Sequence, residues 1–272
     1  MNSLIKRFAR TLLQFISDIS NGKLSSFVLD LFTPRHRFIH GTNRLFFYTP
    51  NHLTYWRAKT LLKKEPETIT WLDEHVRPGE VLYDIGANIG CYSMYAAGCR
   101  RARVLAFEPA YMNYYILCKN VGMNRVNAAV TPYMIAFSDA SAVTDIAIPK
   151  NVDGAACTTI DAAAAGPADF NHGVVSYALD DFVALPGVPF PDHIKIDVDG
   201  IEAKIVAGGR RTFQDRRLRT VQIEINDGLA EDRQIVSTME ALGFRILSKK
   251  NGPSYQGDSK YKDVFNYLFV RG

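Results

Sequence analysis

Residues 81–90 read VLYDIGANIG, and Glu108 of VLAFEPA (residues 104–110) follows Gly90 by eighteen positions. The first stretch is an apolar run, Val81-Leu82-Tyr83, that ends at Asp84 and turns through Gly86 and Gly90. Glycine belongs where the backbone turns sharply or lets a ligand approach with no Cβ in the way. A small-residue helix, Cys91-Tyr92-Ser93-Met94-Tyr95-Ala96-Ala97, continues from the turn. The apolar strand Val104-Leu105-Ala106-Phe107 then delivers Glu108 to the same carboxyl edge of a sheet, where an acid accepts two hydrogen bonds from a ribose diol. Strand, glycine turn, helix, strand and acid describe a cradle for an adenosine-like ligand.

Spacing narrows the ligand. Dinucleotide enzymes use G-x-G-x-x-G, whose backbone N–H groups meet a pyrophosphate at a helix N-terminus. Here Asn88 replaces the middle glycine and Cys91 holds the last position. The D-x-G-x-N-x-G form (Asp84, Gly86, Asn88, Gly90) instead suits S-adenosylmethionine, which has an amino-acid tail and no phosphate. Asp84 is expected near the ligand's ammonium. An ordinary strand-to-helix turn explains the glycines alone but not Glu108.

At 272 residues the chain has the length of one large α/β domain with an N-terminal extension. A composition of 47% hydrophobic and 22% charged residues excludes disordered and fibrous classes. The net charge of +4 is mild, and the basic residues are dispersed with no aromatic-interleaved stripe, so no nucleic-acid partner is expected. The four cysteines (Cys91, Cys99, Cys118, Cys157) lack C-x-x-C spacing and read as reduced packing residues of a cytoplasmic protein. Near the N-terminus, Leu4-Ile5, Phe8, Leu12-Leu13 and Phe15-Ile16 recur at helical spacing with Lys6, Arg7 and Arg10 between them. That stretch is too short and interrupted to span a bilayer, and no small-residue cleavage site follows a continuous apolar core. A packing helix or homodimer contact is the first expectation for it, weak membrane-surface contact the second.

Residues 1–60 read as the extension: a helical start, a turn near Asn21-Gly22-Lys23, a strand at 44–48 and a turn at Pro50-Asn51-His52. Helices follow at about 53–62 and 66–75. From Val81 strands and helices alternate, which predicts a mainly parallel sheet with helices on both faces. The order is strand 81–84, helix 89–97, strand 103–108, helix 111–121, strand 130–136, an irregular insertion at 138–180, strand 193–197, helix 201–208, strand 219–225 and helix 231–242. Strands 244–248 and 264–270 have no helix between them and should pair antiparallel. The domain is expected to run over 61–272, with the insertion in the place of a substrate lid.

DIGANIGCYS (84–93), AFEPAYMNY (106–114), AFSD (136–139) and IKIDVDGIEAKIVAGG (194–209) together resemble the FkbM-type methyltransferases. The resemblance covers roughly 80–227, with VQIEIN (221–226) and the closing hairpin consistent with it. Asp199 and Ile201 stand where the family more often has Glu and Ala. The resemblance implies an α/β class I, Rossmann-like methyltransferase fold, S-adenosylmethionine as donor, and a hydroxyl acceptor on a sugar, glycolipid or secondary metabolite.

Methyl transfer to oxygen is an in-line displacement that gains most from alignment, with a carboxylate to take the hydroxyl proton late in the step. Asp197, ending strand 193–197, is the candidate base or acceptor-orienting group; capping the next helix or anchoring the cofactor tail are the competing roles. Lys195 and Asp199 bracket it at period two, so all three share a face if strand geometry persists. A cationic Lys195 would keep Asp197 ionised, weakening it as a base and strengthening it as an orienting group. Glu202 falls in the first turn of the next helix, held by the helix dipole or reaching the acceptor. Glu108 is assigned to the ribose, the backbone at Gly86 and Gly90 to close approach, and Ser138-Asp139 to the adenine amino group. A divalent metal between Asp197 and Glu224 or Asn226 stays open but is not favoured. Two other classes remain: a nicotinamide-dependent oxidoreductase, against which the glycine spacing counts, and a non-catalytic partner subunit of the same fold.

Overall fold

The computed structural model describes residues 3–156, 159–160, 167–251 and 262–272. Cys157 and most of the connection between the last two strands lie outside them. The chain divides into two compact units, Met1–Arg35 and His36–Gly272. In the first, α1 (Ser3–Ile19) and α2 (Lys23–Leu31) are joined through Asn21 and Gly22, whose φ angles of 48° and 77° reverse the chain.

The second unit begins at His36, inside the stretch read as the extension, 1–60. A hairpin of β1 (Arg35–His40) and β2 (Asn43–Tyr48) belongs to it, as does α3 (His52–Lys59). Leu45 and Phe47 of β2 are buried, and the Phe46 and Tyr48 N–H groups donate to Asn124 and Asn120 at 2.8 and 2.6 Å. Asn51 caps α3 through a reciprocal box with Thr54. The helix expected at 53–62 breaks at Thr60, giving α4 (Leu61–Lys64) before α5 (Pro66–His75).

The central sheet takes β3 (Val81–Ile85), β4 (Arg103–Phe107), β5 (Val130–Tyr133), β10 (His193–Ile196), β11 (Thr220–Asn226), β12 (Phe244–Lys250) and β13 (Val264–Arg271), in the order β12-β13-β11-β10-β3-β4-β5. The run from β11 to β5 is parallel, whereas β13 lies antiparallel between β11 and β12. This is the expected α/β class I methyltransferase sheet with its C-terminal antiparallel pair. Strand side chains alternate between two cores. Leu82, Val104 and Ala106 meet α6 (Cys91–Arg100) and α7 (Tyr111–Asn124) on one face. Tyr83, Ile85, Leu105 and Phe107 meet α8 (Leu179–Val183), α9 (Glu202–Gly208), α10 (Arg210–Gln214) and α11 (Ala230–Ala241) on the other.

The stretch at 138–180 is not irregular. Strands β6 (Ala136–Ser138), β7 (Ala142–Ile148), β8 (Thr159–Ile160) and β9 (Phe170–Ala178) form a second sheet in the order β6-β9-β7-β8. β-like runs at Val143–Ile148 and Val174–Ala178 are legible in the sequence, but the strands are short and separated by Ala-, Gly- and Asp-rich stretches, so only pairing with one another makes them a sheet. Ile146, Ala136 and Val174 bury a small core of their own.

Candidate active site

The chain leaves β3 for β4 and β5 on one side and returns to β10 on the other. The carboxyl ends of β3 and β10 therefore frame the crevice where open α/β sheets bind ligands. Gly86 follows β3 with φ 82°, and a Cβ there would lie 1.8 Å from the Asp197 carbonyl oxygen. Only glycine lets the two turns touch. Beside them a cavity of about 290 Å³ is lined by Gly86, Asn88, Glu108, Asp197, Asp199 and Glu224. Trp56 and Arg57 of α3 and Lys64 of α4 form a further wall.

Glu108 is buried, and each of its oxygens accepts one backbone N–H: Asn88 at 2.8 Å and Ala110 at 3.0 Å. A carboxylate offers about four acceptor sites, so both oxygens keep capacity for a diol. Burial pushes the Glu108 carboxyl up to about 7, against the opposing effect of those N–H groups. Gly90, in the left-handed region at φ 79°, stops the turn and delays the helix to Cys91. Asp84 does not line the cavity. It is buried behind the wall, accepting Ser93 Oγ at 2.5 Å, because its side chain points toward α6.

Asp197 sits one residue past β10, and its N–H still donates to Ile85 O at 3.1 Å. The buried Lys195 ammonium donates to Asp197 Oδ2 at 2.6 Å. Burial opposes ionisation of Asp197, but Lys195, then Lys64 and Arg57, outweigh it and hold the carboxyl below its usual range. Glu224, at the end of β11, meets the opposite fate: burial, then the charges of Asp197 and Glu65, push it well above the carboxylate range. Glu65 is itself buried and paired with Lys64. Strand geometry ends before Asp199, whose φ of 64° is left-handed, yet Asp199 still reaches the cavity wall.

Glu202 is not on that wall. Its carboxylate accepts the Val198 and Gly200 N–H groups, both at 3.0 Å, and staples the loop that carries Asp199. Ser138 and Asp139 also lie apart. Asp139 is exposed, and the Ser138 carbonyl packs under α9, 2.3 Å from where a Gly208 Cβ would stand. The part of that loop turned toward the cradle is Ile135–Phe137. It lines a small apolar recess that shares Gly86, Pro109 and Val198 with the cavity or its rim.

A segment of the insertion closes over the cradle. Asn88 and Asn113 both donate to Ala155 O, at 2.8 and 2.9 Å, and Asn113 Oδ1 accepts Gly154 N at 2.8 Å. Arg57 Nε donates to Gly154 O at 2.6 Å, and Asn51 Nδ2 to Asp153 O at 3.0 Å. Trp56, Arg57, Lys64 and Asn113 were not singled out by sequence. Lys64-Glu65 reads as a solvated pair and Trp56-Arg57 as an ordinary helix turn, so no local pattern marks them.

The residues present fit S-adenosylmethionine. The Gly86 turn admits no Cβ, Glu108 offers a diol acceptor, and four carboxyl groups against Arg57 and Lys64 make a wall suited to a cationic nucleoside without phosphate. Among the described residues no group of three or more His, Cys, Asp or Glu could hold a metal ion.

The comparisons with known proteins agree with that geometry. Over 175 residues the chain is 29% identical to the hexuronic acid methyltransferase AglP of Haloferax volcanii, covering 64% of this chain and 67% of that protein. It is 25% identical over 206 residues to the 31-O-demethyl-FK506 methyltransferase FkbM of Streptomyces tacrolimicus, covering 67% and 78%. Among solved structures, M. jannaschii TYW2 in complex with AdoMet is similar at 14% identity and TM-score 0.44, over 88% of this chain and 87% of that one. The model of the methyltransferase FkbM domain matches residues 84–246, more than half of the chain and the whole run from the Asp84 turn to β12. With cradle, sheet order and domain match in agreement, the chain belongs to the FkbM methyltransferase family.

Proposed function

We propose that this protein is an S-adenosylmethionine-dependent O-methyltransferase whose acceptor is a hydroxyl of a sugar, glycolipid or secondary metabolite. The observation that carries the reading is Asp197 in the cavity beside Gly86, ion-paired with Lys195 and sharing that cavity with Glu108. The names of the two relatives, one a hexuronic acid methyltransferase and one a 31-O-methyltransferase, support an oxygen-rich acceptor.

S-adenosylmethionine supplies a methyl group already activated on a sulfonium. What the chain's residues add is alignment and a destination for the proton. Asp197, kept ionised by Lys195, Lys64 and Arg57, accepts a hydrogen bond from the acceptor hydroxyl and fixes the direction of its lone pair. A carboxylate of lowered basicity is a poor base toward a neutral alcohol. It suffices once the oxygen–carbon bond forms, because the alkylated oxygen then bears a strongly acidic proton. Glu224, whose carboxyl burial and the neighbouring acids Asp197 and Glu65 push upward, is placed on the same cavity wall to orient a second acceptor oxygen. Trp56 gives the sugar ring an apolar face. Glu202 and Asn113 act as positioning residues for the loops at 198–200 and 154–155.

Calorimetry with S-adenosylmethionine and with NADH, followed by transfer of a labelled methyl group to glycan and polyketide hydroxyls, tests the reading. Micromolar NADH binding with no binding of S-adenosylmethionine or its demethylated product would overturn it. Cofactor binding without turnover on any acceptor would favour a non-catalytic subunit.

A further inference from the structure

The first unit is built inside out. Its two helices touch through serines: Ser17 and Ser25 hydroxyls lie 3.0 Å apart, with Ser20 Oγ bonded to Ser17 O at 3.1 Å. A helical hairpin in water normally buries its apolar stripe in the seam between the helices. Here the stripe faces outward. On α1, Phe8 and Ile19 are each 71% exposed and Phe15 is 61% exposed, with Leu12 and Leu13 exposed beside them. At the helical step of 100° per residue, Phe8, Leu12, Phe15 and Ile19 fall within an arc of about 60°, while Arg7, Gln14 and Asp18 lie away from it. On α2 and just after it, Leu24, Phe27, Val28 and Phe32 are exposed as well.

Charge separates the occupants of such a face. Residues 1–35 hold five Lys or Arg and two Asp, a formal +3 out of the whole chain's +4. A second copy would bring like charge to the contact, whereas an anionic headgroup layer is complementary to it. Among the described residues no helix is long and apolar enough to cross a membrane, so such a helix lies in the interface plane with its apolar side down. We propose that the Met1–Arg35 hairpin is a docking surface for anionic lipid membranes, the apolar side chains entering the headgroup–acyl boundary and the basic residues meeting the headgroups.

Sedimentation of the full chain with sucrose-loaded vesicles tests this. Vesicles containing phosphatidylglycerol should pellet the protein about tenfold more effectively than phosphatidylcholine alone, and added salt should weaken the effect. The double variant Leu12→Gln, Phe15→Gln should lose that binding about tenfold while keeping its helical circular dichroism and its affinity for S-adenosylmethionine. Three results would overturn the proposal: no pelleting with either vesicle, pelleting unaffected by the double variant, or a concentration-dependent dimer in ultracentrifugation that the double variant abolishes. The last would give the face to a second copy.

Discussion

Two carboxylates face one cavity and are handled by opposite means. On the β4 side, Glu108 is held by two backbone N–H groups and its carboxyl rises to about 7. On the β10 side, Asp197 is half-buried, three cations converge on it and its carboxyl falls below the usual range. At Glu108 the backbone N–H groups orient the carboxylate without offsetting its desolvation, whereas at Asp197 the nearby full charges do offset it. Glu108 is thus suited to wait for a cofactor that completes its hydrogen bonding. Asp197 is suited to stay ionised through turnover.

The sharpest way to break that contrast is to remove the permanent charge. Asp197→Asn keeps the shape and much of the hydrogen bonding, and turnover should fall by roughly 10²–10⁴ while cofactor affinity changes less than about tenfold. Initial rates beside calorimetry check this; near-normal turnover would make Asp197 structural. Running the wild type with and without EDTA in the same assay should give equal rates, and a chelator-sensitive enzyme would turn Asp197 from proton acceptor into metal ligand.

Glu108→Ala should act on binding instead. It removes two hydrogen bonds to a charged acceptor, each worth ~1.5–3 kcal/mol, so affinity for S-adenosylmethionine should drop about a hundredfold or more with the fold retained. Unchanged affinity would take Glu108 out of the site.

The pH dependence sharpens the contrast further. Glu108 and Glu202 both rise from an ordinary 4.5 to about 7 in the folded chain, burial being the main cause. Between those values the folded state holds protons that the unfolded state releases. Their contribution to the ligand-free protein's stability is therefore full below pH 4.5 and is lost as pH rises through 7. Cofactor affinity should move the other way, weakening by about tenfold for each unit below pH 7 as Glu108 protonates. Thermal melts and calorimetry across pH 5–8 read both slopes; Glu108→Gln should flatten the affinity slope and reduce the stability slope to the part that Glu202 supplies. A pH-independent affinity would show that the ionised form is not the binding form.

The smallest effect is expected at Asn113. Asn113→Ala deletes two hydrogen bonds to Gly154 and Ala155 and should cost about 1–3 kcal/mol of stability. Amide exchange at 152–156 should quicken, and cofactor affinity should weaken a few fold. Unaltered exchange would mean that Asn51 and Arg57 suffice to hold the segment.

Reading the sequence placed the Gly86–Gly90 turn, Glu108 and Asp197 on one sheet edge, because strand period, glycine conformation and chain direction are properties of neighbouring residues. Other placements depended on distant packing. Ser138-Asp139 follow the expected strand, but α9 covers that turn, so Ile135–Phe137 face the cradle instead. Glu202 sits in the expected first helical turn, yet the left-handed step at Asp199 folds the loop back onto its carboxylate.

By itself the sequence determined the fold family, the closing antiparallel pair and the Gly86–Glu108 wall of the cavity, all of which follow from periodicities a few residues long and from where glycine alone can stand. Only the tertiary structure decided what else lines it. Trp56, Arg57 and Lys64 reach Asp197 and Glu224 from helices outside the domain match, and the protonation of those two acids depends on charges that no local pattern brings together. Coulomb interactions act through space, and the chain's order records nothing of which charges will meet.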